Sequence, residues 1–279
     1  MTEIEEITPE MIERTWSRYA PLHRARAYQA PKVDRDLRYG PHERHRLDVH
    51  TTGDARARPV LVFVHGGGFV GGDKHLPGTP FYDHIGGWAV DRGMIGVTMT
   101  YRLAPEYPWP AGADDVGAAL DWVRRHAADY GGDPDRIVLM GHSAGASHVA
   151  CRLAMGESAL SAAVLLSGIY DLGIAEPNEP LTAYFGTDAA ARLDRSPLPG
   201  LLTSKVPMLF GVAEGDPRDF QRQLASVAAA FVAVDGILPA LTWVPGHQHI
   251  SEIASLGVDD TLGETIRRFA EQHTGGPRR

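Results

Sequence analysis

The stretch Ile137-Val138-Leu139-Met140-Gly141-His142-Ser143-Ala144-Gly145 decides how the rest of the chain is interpreted. Its four leading apolar residues predict a buried strand, and the alanine-rich segment 144–151 predicts a helix. A serine at a sharp turn between strand and helix is held on strained backbone with its hydroxyl exposed, and flanking glycines remove side chains that would clash there. The pattern fits a nucleophilic Ser143 and also an ordinary glycine-rich turn. The sequence before and after the turn is needed to distinguish these two interpretations.

Composition narrows the class of protein. The 279 residues are 43% hydrophobic, which is enough for a sizeable core in a single domain over 1–279. A net charge of −8 without a dense basic patch argues against nucleic acid and anionic membrane as partners. The lone cysteine, Cys151, cannot form an intrachain disulfide, the acidic N-terminus lacks a signal-peptide pattern, and no apolar run is long enough to span a membrane. We therefore expect a cytoplasmic protein, whose oligomeric state, monomer or homodimer, the sequence leaves open.

Buried strands alternate with helices along most of the chain. A hairpin is predicted over 35–51, and apolar runs predict strands at 59–64, 94–100, 136–140, 161–167, 206–212 and 237–244. Helices are predicted at 9–30, 114–126, 144–155, 217–234 and 259–272. This order predicts an α/β fold, with a mostly parallel sheet of about eight strands and helices on both faces. Right-handed crossovers then bring the carboxyl ends of the parallel strands, and the loops that follow them, to one edge.

The segment 171–204 interrupts this alternation. It is rich in proline and lacks a clear helical or strand period, so it predicts an inserted, loosely helical cap. We expect it to cover the active site together with residues 1–34. The candidate lining residues are the aromatic side chains of these two segments, Trp16, Tyr19, Tyr28, Tyr184 and Phe185.

A glycine-rich loop, His65-Gly66-Gly67-Gly68-Phe69, follows the strand 59–64 directly. Residues 66–71 also match the glycine spacing of a dinucleotide site, but such a site needs a helix that opens on the loop, and here glycine and proline keep the chain irregular. The other interpretation is an oxyanion loop, whose backbone N–H groups approach a substrate carbonyl. In esterases such a loop acts with the N–H of the residue after the nucleophile, which is Ala144 here.

A serine nucleophile needs an acid and a histidine base further along the chain, in the order Ser, Asp or Glu, His. The acid should follow a strand, and Asp216 lies in the loop after 206–212, just before Pro217. Alternatives are Glu214, closer to the strand, and Asp219, inside the following helix, with Asp171 as an outside candidate.

Two histidines follow the last predicted strand, His247 and His249. We favour His249 as the base because it lies farther into the loop, where its side chain can reach back over the strand ends. His-x-His spacing also suits a metal site, but the sequence offers no third clustered ligand nearby, so we expect neither a metal nor another cofactor. The side chain of His142, next to the serine, should point away from it.

Together, His65-Gly66-Gly67-Gly68-Phe69, Tyr101-Arg102-Leu103-Ala104-Pro105-Glu106, Pro108-Trp109-Pro110-Ala111 and Gly141-His142-Ser143-Ala144-Gly145 resemble the hormone-sensitive-lipase-like carboxylesterases of the α/β-hydrolase fold. The resemblance covers roughly residues 35–275. It implies that Gly67, Gly68 and Ala144 supply the oxyanion donors. It also implies that Asp216, which precedes a proline, is the triad acid, and that His249 is the base.

The chain departs from that family at His142, where an aspartate is usual, and in its shorter cap. Three segments, 141–146, 167–172 and 247–251, also resemble arylformamidases and feruloyl esterases. The resemblance therefore implies a serine esterase acting on small esters, either short-chain or aromatic. The rival hypotheses are an amide or formamide hydrolase with the same triad, and a non-catalytic ligand-binding protein on this fold.

Overall fold

The computed structural model describes residues 4–26, 30–259 and 261–275. Within this part of the chain, one sheet contains eight strands: β1 (Lys32–Arg38), β2 (Arg46–Thr51), β3 (Arg58–Val64), β4 (Ile95–Met99), β5 (Gly132–His142), β6 (Ala162–Leu166), β7 (Met208–Ala213) and β8 (Ala240–Val244). Their order in the sheet is β1-β2-β4-β3-β5-β6-β7-β8. β2 pairs antiparallel with β1 and β4, and every other neighbouring pair is parallel. The predicted mostly parallel α/β fold is confirmed.

The helices of the described residues are α1 (Pro9–Arg24), α2 (Asp83–Asp91), α3 (Ala111–His126), α4 (Ala144–Ala154), α5 (Glu179–Phe185), α6 (Ala189–Asp194), α7 (Leu198–Thr203), α8 (Arg218–Asp235), α9 (His249–Ala254) and α10 (Thr261–Thr274), and a 3-10 turn spans Ala127–Tyr130. None of the helices in the described ranges is long and apolar enough to cross a bilayer. The predicted cap segment contains α5, α6 and α7. The first two of these begin at side-chain caps, Asn178 and Asp188.

Helices cover both faces of the sheet, and β3 shows why. Val60, Val62 and Val64 point to one face and pack with residues of α3, α4 and α8, whereas Leu61 and Phe63 point to the other face and pack with residues of α2, α9 and α10. Alternate residues of a strand face opposite sides, so a strand without polar residues needs a cover on each side. This explains the continuous apolar run in the sequence.

Some predicted boundaries were wrong. α1 ends at Arg24 rather than at residue 30, and residues 27–29 lie outside the described part of the chain. α3 begins at Ala111 rather than at Asp114, because Asp115 does not serve as a cap. The Asp115 carboxylate is buried and accepts hydrogen bonds from the backbone N–H and the guanidinium of Arg102. In sequence Asp115 favours a helix start, but in the structure its carboxylate binds Arg102 in the preceding loop.

Candidate active site

Ser143 lies alone between β5 and α4, on the turn that the sequence predicts. Its φ is 56° and its ψ is −125°, a strained conformation for a residue with a side chain. A Cβ on Gly141 would come within 2.5 Å of the Gly145 carbonyl oxygen, and a Cβ on Gly145 within 2.1 Å of the Val64 carbonyl oxygen. Both glycines are therefore required by the close approach of backbone at this turn.

Three side chains that are far apart in sequence form one hydrogen-bonded chain. The Ser143 hydroxyl is 2.9 Å from Nε2 of His249, and Nδ1 of His249 is 2.6 Å from Oδ1 of Asp216. Nδ1 donates to the carboxylate in this arrangement, so Nε2 is left to accept from the serine. His249 and Asp216 are fully buried. The structure therefore brings together the three residues that the sequence analysis selected.

Local structure explains the position of each member. His249 is the first residue of α9, and Gln248 caps that helix with its side-chain oxygen, which fixes the direction in which the chain leaves β8. Asp216 lies in the loop between β7 and α8. Its second oxygen, Oδ2, accepts from the backbone N–H of Ala213 at 2.8 Å and from the hydroxyl of Ser167 at 2.6 Å. These bonds leave Oδ1 directed at the imidazole.

The other candidate acids have different partners. Glu214 accepts a hydrogen bond from the backbone N–H of Gly246, and Asp219 accepts one from the backbone N–H of Glu176. Asp171 accepts from the hydroxyl of Ser226. The two ring nitrogens of His249 are instead engaged with Asp216 and Ser143.

His247 is turned away from the serine. Its Nδ1 lies 3.2 Å from the Ser251 hydroxyl, and its Nε2 lies 3.5 Å from the Asp259 carboxylate. The two rings of the His-x-His pair therefore bind different groups and do not converge on one point. In the described ranges, no group of three or more histidine, cysteine, aspartate or glutamate side chains is arranged to hold a metal ion.

The glycine-rich loop after β3 lies beside the serine. A Cβ on Gly66 would be 3.1 Å from the Ser143 Cβ, and Gly67 and Gly68 both have positive φ. Tyr101 fixes the start of the loop by donating its hydroxyl to the His65 carbonyl at 2.9 Å. The next helix along the chain, α2, begins only at Asp83, so the loop does not lead directly into a helix as the glycine-rich loop of a dinucleotide site does.

Ala144 is the first residue of α4, where a backbone N–H has no intrahelical acceptor. It borders the same cavity as Gly67 and Gly68. The three residues predicted to supply oxyanion donors thus line the cavity that contains Ser143, and they come from two elements, the loop after β3 and the start of α4.

The cavity above Ser143 has a volume of about 660 Å³. Its apolar lining comes from the N-terminal segment, the loops at the strand ends and the cap: Ile4, Ile7, Ile12, Phe69, Tyr82, Ile169, Pro180, Leu181, Pro217, Phe220 and Ile250. The predicted segments contribute to it, but the four predicted aromatic residues that the structure describes do not. Trp16 and Tyr19 pack into the core beneath α1, Tyr184 and Phe185 pack against Phe69, and Tyr28 lies outside the described residues.

The sequence analysis missed two polar residues next to the triad, Ser167 and Glu252. Ser167 follows the carboxyl end of β6, which is the position where a functional side chain is expected in a parallel sheet. Glu252 lies three residues after His249 on α9, so both residues share a helix face. Those two positions are the signals that could have identified them.

His142 is buried behind the base rather than exposed beside the serine. Its Nε2 donates to the backbone carbonyl of His249 at 2.9 Å. Burial lowers its pKa well below the ordinary value, so the ring is neutral at physiological pH. His142 therefore holds the start of α9, and its Nε2 is engaged with the His249 carbonyl rather than with the Ser143 hydroxyl.

With the fold and this geometry established, comparison with known proteins gives the family. Residues 61–234, more than half of the chain, match the family described as having the alpha/beta hydrolase fold, and the chain belongs to that family. The resemblance to hormone-sensitive-lipase-like carboxylesterases that the motifs indicated is confirmed.

Individual relatives are esterases by name. Esterase LipQ of Mycobacterium tuberculosis is 33% identical over 199 residues, 65% of this chain and 46% of that protein. Carboxylesterase NlhH of the same organism is 51% identical over 89 residues, 31% of this chain and 26% of that protein. The matched part of this chain thus spans less than half the length of either relative. A solved esterase structure from Pyrobaculum calidifontis has a TM-score of 0.73 at 22% identity, covering 99% of this chain and 95% of that one, which establishes likeness of fold.

Proposed function

We propose that this protein is a serine carboxylesterase. The observation that carries the proposal is the hydrogen-bonded chain from Ser143 through His249 to Asp216, at distances of 2.9 and 2.6 Å. The geometry matches the roles of nucleophile, general base and orienting acid, with every group within hydrogen-bonding reach. The names of the relatives LipQ and NlhH are consistent with the same activity.

In the proposed mechanism, His249 Nε2 takes the hydroxyl proton while Ser143 Oγ attacks the ester carbonyl carbon. Asp216 holds the ring with Nδ1 protonated and stabilises the imidazolium that forms. The tetrahedral intermediate collapses when His249 returns the proton to the leaving alcohol, leaving an acyl-serine. Water, deprotonated by the same histidine, then attacks the acyl carbon, and His249 returns that proton to Ser143 Oγ as the C–O bond breaks and the acid leaves. Each step uses side chains, backbone amides and water.

The backbone N–H groups of Gly67, Gly68 and Ala144 are the proposed donors to the oxyanion. They stabilise negative charge that develops on the carbonyl oxygen only in the transition state, and losing one such donor typically costs about 3–4 kcal/mol. The hydrogen bond from Tyr101 to the His65 carbonyl and the close approach of Gly66 to Ser143 hold the glycine-rich loop in place before substrate binds. Pre-organised donors need no reorientation during the reaction, which is the basis of their effect.

The cavity sets the proposed substrate class. Its volume of about 660 Å³ and its mostly apolar lining suit small esters with a short-chain or aromatic acyl group. The N-terminal segment and the cap both contribute side chains to it, so we propose that 1–34 and 171–204 act together as the cap of a single domain. The isoleucines at 4, 7 and 12 belong to the first of these segments.

A kinetic comparison tests this function. We expect the protein to hydrolyse nitrophenyl acetate and butyrate, with kcat/KM falling steeply for long acyl chains because the cavity cannot bury them. An N-formyl arylamine, assayed beside the esters at equal concentration, should be the poorer substrate. A higher kcat/KM for the formamide would replace this proposal with the amide or formamide hydrolase. No turnover of either class would favour a ligand-binding protein.

A further inference from the structure

Behind the proposed triad lies a second buried carboxyl group that the mechanism above does not use. The hydroxyl oxygen of Ser167 is 2.6 Å from Oδ2 of Asp216 and 2.7 Å from Oε2 of Glu252. Both carboxyl groups are fully buried. Ser167 itself has a φ of 48°, a strained value that the surrounding structure must maintain.

The proton count at Ser167 constrains the charges. A serine hydroxyl carries one proton and can donate to only one of the two carboxyl oxygens. If both acids were ionised, the second short contact would place two negatively polarised oxygens together without a proton between them. One carboxyl group must therefore supply the second proton, by donating to Ser167 Oγ while Ser167 donates to the other acid.

The surroundings decide which acid holds that proton. Asp216 accepts three hydrogen bonds, from His249, Ala213 and Ser167, and such bonds favour a carboxylate. Among the described residues the Glu252 carboxyl group makes one hydrogen bond, with Ser167, and its Oε1 has no hydrogen-bond partner. An ionised carboxylate in that position would be buried with one hydrogen bond, which is strongly unfavourable.

The titratable groups packed against Glu252 do not supply a compensating cation. His142, at the end of β5, has its Nε2 3.7 Å away and is kept neutral by burial. Tyr170, after β6, is buried, and burial raises its pKa. The remaining neighbours are Asp216, which is negative, and His249 on the same helix, whose Nδ1 is bound to Asp216. Burial, followed by the charge of Asp216, raises the pKa of Glu252 well above its ordinary value.

We propose that Glu252 is a positioning residue that stays protonated at neutral pH and donates its proton to Ser167 Oγ, which commits the hydroxyl proton of Ser167 to Asp216. The chain of donors then runs from Glu252 through Ser167 to Oδ2 of Asp216, and it holds Oδ1 toward His249. The positioning role rests on the proposed triad, whereas the protonation of Glu252 does not.

The pH dependence of the free energy of unfolding tests whether Glu252 is protonated in the folded protein. Between pH 6 and 8 the folded wild type holds one proton at Glu252 that the unfolded chain has lost there, whereas every other titrating group is shared with Glu252→Gln. The wild-type unfolding equilibrium constant should therefore rise about tenfold per pH unit relative to that of Glu252→Gln, which has no proton to lose. Chemical denaturation of both proteins across this range measures the ratio. A ratio that does not change with pH would overturn the proposal.

Glu157→Gln is the matched control. Glu157 is also buried, but Arg124 and Arg152 pair with it at 2.7 and 3.2 Å, so it is ionised in both states. This variant should lose stability by an amount that does not vary between pH 6 and 8. If Glu252→Gln does not fold, Glu252→Met replaces it, and the infrared difference spectrum of wild type against the variant at pH 7 should show the carbonyl stretch of a protonated carboxyl group. Carboxylate bands in its place would overturn the proposal.

Ester kinetics test the positioning role. Glu252→Gln keeps a donor to Ser167 and changes no charge, so kcat should stay within about threefold of wild type and the acid limb of the pH–rate profile should not move. Glu252→Met has no donor, and kcat should fall about tenfold with KM nearly unchanged. Full kcat in Glu252→Met, or a shifted acid limb in Glu252→Gln, would overturn the role. If the triad proposal itself fails, Ser143→Ala remains active, while the stability result for Glu252 is unaffected.

Discussion

His249→Ala is expected to lower kcat for a nitrophenyl ester by about 10⁴- to 10⁶-fold, the range that loss of a triad base costs in serine hydrolases. The ring is the only group joined to both the Ser143 hydroxyl and the Asp216 carboxylate among the described residues. Without it, the serine keeps its proton and the leaving alcohol has no general acid. KM should change little, because the imidazole acts on the reacting atoms rather than on the rest of the substrate.

His247→Ala is the matched control, two residues away in the same loop. The His247 ring contacts Ser251 and Asp259 rather than Ser143. We expect kcat within about fivefold of wild type, since removal of the ring costs at most a hydrogen bond at the start of α9. Circular dichroism and thermal unfolding should show that both variants are folded. The reverse pattern, with His249→Ala active and His247→Ala inactive, would contradict the assignment of the base.

Acid is expected to destabilise the fold strongly. Burial lowers the pKa of four core histidines, to about 4 for His50 and His65 and to about 3 for His84 and His148. The unfolded chain takes up protons as pH falls through about 6.5, whereas the folded chain does not until its own pKa is reached, so the stability is present above 6.5 and lost below it. Each histidine should cost about 2 kcal/mol at pH 5.

Protonated Glu252 works in the opposite direction by about one proton, and the four histidines and Glu252 together should give a net loss of about 5 kcal/mol between pH 7 and pH 5. Burial also lowers the pKa of His142, which adds to this loss. The net loss is a large part of the 5–15 kcal/mol that stabilises a typical domain. Urea unfolding at both pH values measures it.

His148→Leu and His126→Gln identify the source of this loss. Neither ring nitrogen of His148 has a hydrogen-bond partner among the described residues, so the leucine variant removes one titrating group from the core. Its loss of stability on acidification should be smaller than that of wild type by about 2 kcal/mol. His126 is partly exposed, and its variant should follow wild type. A wild type equally stable at pH 5 and pH 7 would contradict the account.

The fold could be predicted because its signals are local. The apolar run of β3 and the turn at Ser143 each follow from a few adjacent residues whose backbone or burial requirements are strict. The candidates for nucleophile, acid and base could be found in the same way, because each lies in a short segment that follows a strand. His249 could be preferred over His247 from its position in the loop alone. In the structure, Nε2 of His249 lies 2.9 Å from the Ser143 hydroxyl.

Packing between distant segments could not be predicted. Ser167 and Glu252 are 85 positions apart, and only the meeting of β6 with α9 makes them partners. The prediction of the cavity lining failed for a related reason. Trp16 and Tyr184 have the size of lining residues, but a large aromatic ring also gains by burial in the core. Tyr184 is buried in the core, and Trp16 is partly buried and packs against it. The sequence therefore identifies candidates for the cavity lining and for the groups next to the triad, but tertiary contacts determine which candidates occupy those positions.

Covalent labelling of Ser143 tests the central claim most directly. A nitrophenyl alkylphosphonate resembles the tetrahedral intermediate and should react at the nucleophile, releasing nitrophenol and leaving a phosphonyl ester. Peptide mass spectrometry should find one adduct per chain on Ser143, with esterase activity lost in proportion to labelling, and Ser143→Ala should be neither labelled nor active. An adduct on another residue, or full esterase activity in Ser143→Ala, would contradict the assignment of Ser143 as nucleophile.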